Sequence, residues 1–190
     1  MQEKYIQTKN NFNKHNKYPS YMNVILYMAM SVNGYIATPD HKTPWSKEEW
    51  HSFSQTVKKT KNIIIGRKTY ELMTKQNEFK KIGNPFTIVV TSHHFSSPFS
   101  HVHAVSSPLA GLQLLHQHGF KHALVAGGSA LNTSFLNENL IDEIYLDIEP
   151  VLFGQGIPLF TPAAIEQKLK LQKIKKLSKN TIQLQYKIKK

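Results

Sequence analysis

The sequence predicts an α/β fold with a mainly parallel central sheet, helices on both of its faces and an antiparallel hairpin at the end. The first observation is that short apolar runs alternate with segments of helical period over most of the chain. The second is that residues 170–188 alternate apolar and polar side chains around the turn SKN. The third is a length of 190 residues with 40% hydrophobic content, enough for one sizeable core. Together they predict a single domain over residues 23–190, after a flexible or loosely docked polar tail over residues 1–22.

The first strand and the first helix follow from local patterns. The strand is NVILYMAM, a continuous apolar run that ends at the turn-prone SVNG. After the loop ATPDHKTP, a helix is predicted at SKEEWHSFSQTVKKT, with Ser46 as its N-cap and Glu49 completing a capping box. Trp50, Phe53 and Val57 recur at helical spacing, so they form the apolar face of this helix.

The middle of the chain alternates strand and helix until the loop VLFGQGIP and the final hairpin. Further strands are predicted at NIIIG, FTIVVTS, HVHAV, HALVAGG and IDEIYLDIEP. Helices are predicted at RKTYELM, PLAGLQLLHQHG and SALNTSFLNEN, the second of them stopped by Gly119. In such sheets ligands bind beyond the carboxyl ends of the strands, so the strand-to-helix turns are where a functional site is expected.

The net charge of +12 suggests a nucleic-acid partner, but the type of basic residue argues against one. Of the 24 basic residues, 23 are Lys and only Arg67 is Arg, whereas base-specific contacts rely on the bidentate fork of Arg. Nine of the lysines lie in residues 168–190, interleaved with apolar residues. This pattern favours a solvated Lys-rich surface, and no specific nucleic-acid partner is predicted.

Several classes of protein are excluded by what the sequence lacks. There is no cysteine, which excludes disulfides, thiolate metal sites and Cys nucleophiles. No apolar run approaches the roughly 20 residues of a spanning helix, and the start has no signal-peptide core. A cytoplasmic protein without membrane contact is therefore expected. His101 and His103 share a strand face, but no third ligand has a helpful spacing, so no metal site is predicted.

Three of the predicted strand exits could together hold a ligand with several phosphates. In IIIGRKTY, a glycine ends the strand and two cations occupy the first turn of the next helix, where free backbone N–H groups bind anions. In LVAGGSAL, a Gly-Gly pair lets the backbone approach a ligand closely and a serine adds a hydroxyl. In IVVTSHH, hydroxyl and imidazole groups follow the strand. The positions are Gly66, Arg67, Lys68, Thr69, Thr91, Ser92, His93, Gly127, Gly128 and Ser129.

Arg67 has two interpretations. This chain uses Lys elsewhere, yet its one Arg stands at a helix N-terminus, the end where the helix dipole disfavours a cation. A bound anion would reverse that balance. The alternative is an ion pair with a nearby carboxylate such as Glu71, and the anion-binding interpretation is the one we favour.

Five segments in order carry a resemblance to a known family: YMAMSVNGYIA, IIIGRKTYE, VVTS, VAGGSALNTSFL and DEIYLDIEPVLFGQGIPLF. Over about residues 23–160 they resemble the dihydrofolate reductase fold family, in its branch related to the reductase domain of bacterial riboflavin biosynthesis. The resemblance implies a three-layer dihydrofolate reductase-like fold and an NADPH-dependent oxidoreductase. A homodimer is expected from the resemblance and the long terminal hairpin.

The resemblance also implies roles for individual residues. Arg67 would contact the 2′-phosphate of NADPH, and the Gly127–Gly128 peptide would be cis. The loop over residues 33–44 corresponds to the mobile active-site loop of these enzymes. Lys68 and Thr69 would face the pyrophosphate opposite Gly127, Gly128, Ser129, Ala130 and Leu131; Thr91, Ser92 and His93 would line the adenosine end; and Ala29, Ile36 and Ala37 would flank the nicotinamide.

The substrate implied is a pteridine- or pyrimidine-type heterocycle or its ribosylamino derivative, and two variants stay open. One is the 5-amino-6-(5-phosphoribosylamino)uracil of riboflavin-pathway reductases, which carry Lys where this chain has Tyr27 and an Arg that SKEEWHSFSQTVKKT lacks. The other is dihydrofolate, whose reductases hold the pterin with an acidic residue near the position of Glu49. A non-catalytic nucleotide- or polyanion-binding domain on the same fold is the alternative from another class.

Four residues are candidates for the catalytic machinery. Asp147 and Glu149 are two apart on a strand and face the same side, so one or both could point into the substrate cleft with Glu49. A buried carboxylate at Asp147 would be costly without a function or a partner. Glu48 and Glu49 could instead complement the helix N-terminus. Tyr27 could donate a hydrogen bond to the substrate or be a core aromatic residue.

Overall fold

The computed structural model describes residues 22–164 and 166–189, and its elements follow the predicted alternation of strand and helix. Of the predicted tail, only Met22 lies within the described residues, and its side chain is buried in the core. The strands are β1 (Asn23–Ser31), β2 (Tyr35–Ala37), β3 (Asn62–Gly66), β4 (Phe86–Val90), β5 (Val102–Val105), β6 (His122–Val125), β7 (Glu143–Glu149), β8 (Ile157–Pro158), β9 (Leu169–Lys176) and β10 (Ile182–Ile188). The helices are α1 (Lys47–Thr60), α2 (Arg67–Lys75), α3 (Glu78–Lys81), α4 (Pro108–Gln117) and α5 (Ser129–Asn137).

Eight strands form one sheet in the order β5-β4-β3-β6-β1-β7-β10-β9. The six strands from β5 to β7 are parallel to one another. Strand β10 runs antiparallel to β7, and β9 runs antiparallel to β10. The mainly parallel sheet and the antiparallel terminal hairpin are therefore confirmed. Because the parallel strands end at the same edge, the turns that follow β3, β4 and β6 are neighbours.

The helices cover the sheet on both faces and enclose two apolar cores. On one face α1, α2 and α3 bury residues such as Val57, Met73 and Phe79 against β1, β3 and β6. On the other face α4 and α5 bury residues such as Leu112 and Phe135. This three-layer arrangement confirms the predicted fold class. No helix within residues 22–164 and 166–189 combines the length and apolar character needed to cross a membrane.

Three short elements were not predicted from the sequence. Strands β2 and β8 form a separate antiparallel ribbon where two loops were expected, and α3 is a single turn. Two or three residues are too few to show a period in the sequence. The ribbon instead depends on tertiary packing at Gly156, where an added Cβ would lie 2.6 Å from the Ala37 carbonyl oxygen.

The turns after β3 and β6 are joined by backbone hydrogen bonds at the carboxyl edge of the sheet. The Gly66 N–H donates to the Gly127 carbonyl oxygen at 2.9 Å, and the Ala126 N–H donates to the Ile64 carbonyl oxygen at 3.0 Å. The Gly127–Gly128 peptide is cis, as the resemblance implied. These contacts hold the N-termini of α2 and α5 side by side.

Candidate active site

Two adjoining cavities form one cleft along the carboxyl edge of the sheet. The larger has a volume of about 610 Å³ and lies over the N-termini of α2 and α5. The smaller, of about 380 Å³, lies between α1 and α2. Ile36, Thr69 and Gly128 are among the residues that line both cavities. The cleft therefore leads from a pair of helix N-termini to a more apolar compartment.

The larger cavity has the features of an anion site. The N-cap residues of α2 and α5 are Gly66 and Gly128, and neither helix has a side-chain hydrogen bond to its cap. The free N–H groups of both first turns are thus left for a ligand. The Ser129 hydroxyl is buried and has no hydrogen-bond partner among the described residues.

Most of the residues assigned to cofactor binding lie in this cleft. Gly127 and Ala29 line the smaller cavity only. Ala37 lines neither cavity, because it is buried in β2 beside Ile36. The residues that line the larger cavity are Ile36, Gly66, Arg67, Lys68, Thr69, Thr91, Ser92, His93, Gly128, Ser129, Ala130 and Leu131.

Arg67 lines the larger cavity and is also paired with Glu71. The Arg67 guanidinium donates to the Glu71 carboxylate one turn further along α2, and both side chains are more than one-third exposed. An exposed pair at this spacing contributes about 0.3–0.5 kcal/mol. Hydrogen bonds to a charged group contribute about 1.5–3 kcal/mol. A phosphate can therefore displace Glu71, and the two interpretations of Arg67 are compatible.

The smaller cavity has apolar walls and one buried carboxyl group. Both tryptophans of the chain, Trp45 and Trp50, line it together with Phe53 and Met73. Glu49 lines the same cavity although its side chain is only 5% exposed. A carboxyl group in such surroundings favours its neutral, protonated form.

Burial raises the pKa of Glu49 to about 8, and the nearby charges of Asp147, Glu149 and Glu78 act in the same direction. The Glu49 carboxyl has no hydrogen-bond partner within residues 22–164 and 166–189. Near neutral pH this group holds a proton and faces the cavity. It therefore has the properties of a general acid.

Glu149 lies at the start of α1 rather than in the cavity. The Ser46 hydroxyl donates to Glu149 Oε1 at 2.8 Å, and the Ser46 N–H donates to Glu149 Oε2 at 3.2 Å. Ser46 is the N-cap, as predicted, and accepts from the Glu49 N–H at 3.1 Å. The predicted capping box is therefore only half formed by Glu49. Glu149 takes over the reciprocal contact and leaves the Glu49 side chain free to face the cavity.

Asp147 is completely buried behind the cavity and does not line it. The Tyr27 hydroxyl donates to Asp147 Oδ2 and lies 2.9 Å from the Ser52 Oγ. Gln183 Nε2 donates to Asp147 Oδ1 at 2.7 Å. Burial raises the pKa of Asp147 to about 6, although the hydrogen bonds from Tyr27 and Gln183 act against the shift. The partner that the sequence argument required for Asp147 is thus this hydrogen-bond network.

The Tyr27 ring borders the cavity, whereas its hydroxyl is hydrogen-bonded within the Asp147 network. Its ring lines the cavity and packs 5.5 Å from the Phe53 ring, while its hydroxyl is engaged by Asp147, Ser52 and Gln183. Burial and the Asp147 carboxylate raise the pKa of Tyr27. The hydroxyl therefore remains protonated and is a structural partner of Asp147.

The sequence argument missed Ser52, Gln183 and Glu78. Gln183 lies on β10 and meets Asp147 only through the antiparallel pairing of β10 with β7, a long-range contact with no local signal. Glu78 lines the smaller cavity from α3, which was not predicted. Elsewhere, His103 stacks on Phe86 with ring centroids 4.4 Å apart. Among the described residues no group of three or more His, Cys, Asp or Glu side chains is arranged to hold a metal ion.

Comparison with known protein families identifies the family of this chain. The family model of the RibD C-terminal domain matches residues 22–183, which contain both cavities. The chain belongs to the RibD C-terminal domain family. The riboflavin-type branch of the resemblance is thereby confirmed, and a reductase-like role in the riboflavin pathway is the role that this family supports.

Relatives of this RibD-type domain include two proteins of Bacillus subtilis (strain 168). The uncharacterised protein YwjB is 31% identical over 170 residues, which cover 85% of this chain and 95% of YwjB. The uncharacterised protein YyaP is 23% identical over 175 residues, which cover 86% of this chain and 93% of YyaP. The homology therefore spans nearly the whole length of both relatives.

Solved structures share the fold of this RibD-type domain at low identity. A Shewanella sp. PV-4 protein whose name places it in riboflavin biosynthesis has a TM-score of 0.74 at 22% identity, covering 89% of this chain and all of that chain. The Thermotoga maritima diaminohydroxyphosphoribosylaminopyrimidine deaminase/5-amino-6-(5-phosphoribosylamino)uracil reductase has a TM-score of 0.69 at 18% identity. That match covers 89% of this chain and 57% of the Thermotoga chain, so this domain corresponds to one part of it.

Proposed function

We propose that this RibD-type domain is an NADPH-dependent reductase that transfers a hydride to a pteridine- or pyrimidine-type heterocycle or its ribosylamino derivative. The observation that carries the proposal is the cleft itself. It joins a cavity with two uncapped helix N-termini to an apolar cavity that contains the protonated Glu49. A dinucleotide can lie along the first and end beside the acid in the second.

The residues of the larger cavity fit NADPH. The buried hydroxyl of Ser129 lacks a partner within the described residues, and phosphate oxygens are suitable acceptors for it. At Gly127 the backbone φ is +88° and an added Cβ would lie 3.0 Å from Met28 Cε, so a side chain here would be strained and would have to displace the end of Met28. Lys68 and the N–H groups of α2 and α5 would hold the pyrophosphate, and Arg67 would hold the 2′-phosphate.

The chemistry requires a hydride, a proton and an oriented acceptor. The reduced nicotinamide of NADPH supplies the hydride. Glu49 supplies the proton to the nitrogen or oxygen of the reduced C=N or C=O bond, since it is the buried acid that faces this cavity. Trp50 and Phe53 orient the ring and exclude water. Asp147 and Tyr27 hold the end of β7 in place behind the acid.

The test is a cofactor titration followed by a turnover assay. We expect NADPH to bind stoichiometrically and to be oxidised when a suitable pterin or aminopyrimidine is added to the full-length protein. Binding of NADPH without oxidation across a broad panel of heterocycles would favour a non-catalytic nucleotide-binding domain. Absence of NADPH binding would overturn the proposal.

Arg67→Ala is expected to remove most of the preference for NADPH over NADH. The two cofactors differ only in the 2′-phosphate, and hydrogen bonds to charged groups are worth about 1.5–3 kcal/mol, or roughly ten- to a hundredfold in Kd. Binding of NADH should change little, because only the phosphate contact is lost. Lys68→Ala should weaken the binding of both cofactors equally if Lys68 contacts the pyrophosphate. The measurement is the Kd of each cofactor by fluorescence titration.

Lys75→Ala is the matched control, because Lys75 is exposed at the opposite end of the same helix. It should bind both cofactors as the unmodified protein does. Equal affinity for NADPH and NADH in the unmodified protein would contradict the assignment, and Arg67 would then be only the ion-pair partner of Glu71.

A further inference from the structure

A third cavity lies on another side of α1, between this helix and the end of β9. It has a volume of about 400 Å³, a size that suits a small ligand. Trp50 and Phe53 line the smaller cavity of the cleft, whereas His51 and Gln55 of the same helix line the third cavity. Lys47 borders both of them. The third cavity is therefore separated from the cleft by the body of α1.

Basic side chains predominate around the third cavity. Lys47 contributes an ammonium group from α1, and Lys175 and Lys176 contribute two more from β9. None of these lysines forms an ion pair with another residue in the described part of the chain. Glu48 is the one carboxyl group among the described residues that line the cavity. The lysines thus repel one another without full compensation, and an anion in the cavity would relieve this repulsion.

Strand pairing directs Lys175 towards α1. It lies opposite Gln183 in the pairing of β9 with β10, and Gln183 lies opposite Asp147 on β7. Opposed residues project to the same face of a sheet, and on this face Gln183 Nε2 lies 3.3 Å from the Ser52 Oγ of α1. Burial raises the pKa of Asp147 to about 6, and the positive charge of Lys175 is among the effects that oppose this shift. The Lys175 side chain therefore lies on the same side of the hairpin as the cavity.

The neutral groups of the lining favour a small polar ligand. Gln55 Nε2 lies 2.8 Å from His51 Nε2, and because an amide nitrogen only donates, His51 accepts in this contact. Neutral His51 then carries its proton on Nδ1, which leaves this N–H for a ligand. Leu177 is the only apolar side chain among the described residues that line the cavity. The lining therefore offers positive charge and a hydrogen-bond donor, but little surface for an apolar ring.

We propose that the third cavity binds a small anion with two or more negative charges, in the form of a phosphate or diphosphate group. The three ammonium groups attract it as point charges, and the His51 N–H donates to one of its oxygens. Glu48 takes no part in the binding, and its negative charge weakens it. The site is separate from the cleft, so this proposal does not depend on the proposed function and is tested without cofactor or turnover.

The test is a titration of the isotope-labelled full-length protein with inorganic pyrophosphate, followed by two-dimensional amide NMR. At an ionic strength of about 0.15 M, attraction between exposed charges is screened beyond about 8 Å, which suppresses non-specific binding. We expect saturable shifts of the amide signals of residues 47–55 and 175–177. The amides of residues 66–69 and 127–131 report separately on pyrophosphate in the larger cavity. Shifts confined to those amides, or no saturation up to about 10 mM pyrophosphate, would overturn the proposal.

Paired variants separate a defined site from the general attraction of a chain with a net charge of +12. Lys175→Gln combined with Lys176→Gln should weaken pyrophosphate binding at least about tenfold. Lys170→Gln combined with Lys173→Gln is the matched control, because it removes the same charge from β9 outside the cavity. This control should change the Kd by less than about twofold. Equal weakening by the two pairs would overturn the proposal, because the hairpin would then attract polyanions along its whole length.

Two further titrations test the effect of charge and the source of the phosphate group. Glu48→Gln should tighten pyrophosphate binding by about twofold or more, since it removes the opposing charge. Unchanged or weaker binding in this variant would overturn the proposal. Adenosine diphosphate should bind at these amides no more tightly than pyrophosphate, because Leu177 alone offers apolar surface to a base. Tighter binding of the nucleotide would support the site and identify a nucleotide as the source of the phosphate.

Discussion

Replacing Glu49 with Gln is expected to lower kcat by about 10²–10⁴-fold, the usual contribution of a positioned general acid. Glutamine keeps the shape and the polarity of the side chain but cannot give up a proton. The Kd for NADPH should stay within about twofold of that of the unmodified protein, because Glu49 lines the smaller cavity and not the larger one. The measurement is the initial rate of NADPH oxidation together with a cofactor titration.

The pH profile separates an acid from a residue that merely shapes the cavity. With a pKa of about 8, Glu49 carries its proton below that pH, so kcat of the unmodified enzyme should fall as pH rises through about 8. The Gln variant should lose this alkaline limb. Glu48→Gln, on the exposed side of the same helix turn, should retain both rate and profile. An unchanged alkaline limb in Glu49→Gln would contradict the assignment of the proton to Glu49.

Much of this site could be predicted from the sequence because its parts are local. Gly66 and Gly128 follow buried strands and precede helices, and parallel strands bring such turns to one edge of the sheet. The anion-binding turns therefore depend on the order of the elements, which apolar runs indicate well. The position of Glu49 in the first turn of a helix could also be predicted, from its spacing to Ser46.

The different roles of the three carboxyl groups could not be predicted from the sequence, because they depend on contacts between distant segments. Ser46 and Glu149 are 103 residues apart, and Gln183 meets Asp147 through the pairing of β10 with β7. Nothing near Glu49 in the sequence indicates that Glu149 replaces it in the cap. Likewise, nothing near Asp147 indicates that Tyr27 and Gln183 enclose it.

The carboxyl groups of this region differ in their hydrogen-bond partners. Glu149 is engaged with a helix N-terminus, Asp147 is enclosed by hydrogen-bond donors, and Glu49 faces a cavity with no protein partner. Each negative charge raises the free energy of ionising its neighbours, and Glu49 has no hydrogen-bond donor among the described residues, so it retains its proton to higher pH than Asp147. The arrangement therefore places a protonated acid at the cavity at neutral pH. Burying these carboxyl groups lowers the free energy of unfolding of the protein.

This loss of stability is measurable at Asp147. The Asp147→Asn variant is expected to be more stable than the unmodified protein, by an amount that grows as pH rises from about 4 to about 6. The folded-state pKa is raised from the ordinary 3.8 to about 6. Between these values the folded protein binds a proton that the unfolded chain has released, so the stability of the unmodified protein falls with pH across this window and levels off above it. At about 1.4 kcal/mol per pKa unit, the gain in stability of Asp147→Asn over the unmodified protein should be larger at pH 7 than below pH 4 by on the order of 2–3 kcal/mol.

Asparagine suits this comparison because it reproduces the neutral acid, with its oxygen accepting from Gln183 and its amide donating to the Tyr27 oxygen. Asp147→Ala removes the hydrogen bonds from Gln183 and Tyr27 and should be about 1–3 kcal/mol less stable than Asp147→Asn at every pH, because the buried Gln183 amide then keeps only its longer contacts, of 3.3 Å, with the Tyr27 and Ser52 hydroxyls. Urea unfolding of the three proteins at pH 4, 5, 6 and 7 tests both expectations. A constant difference between Asp147→Asn and the unmodified protein across this range would show that Asp147 titrates normally, and the network would then stabilise a carboxylate rather than an acid.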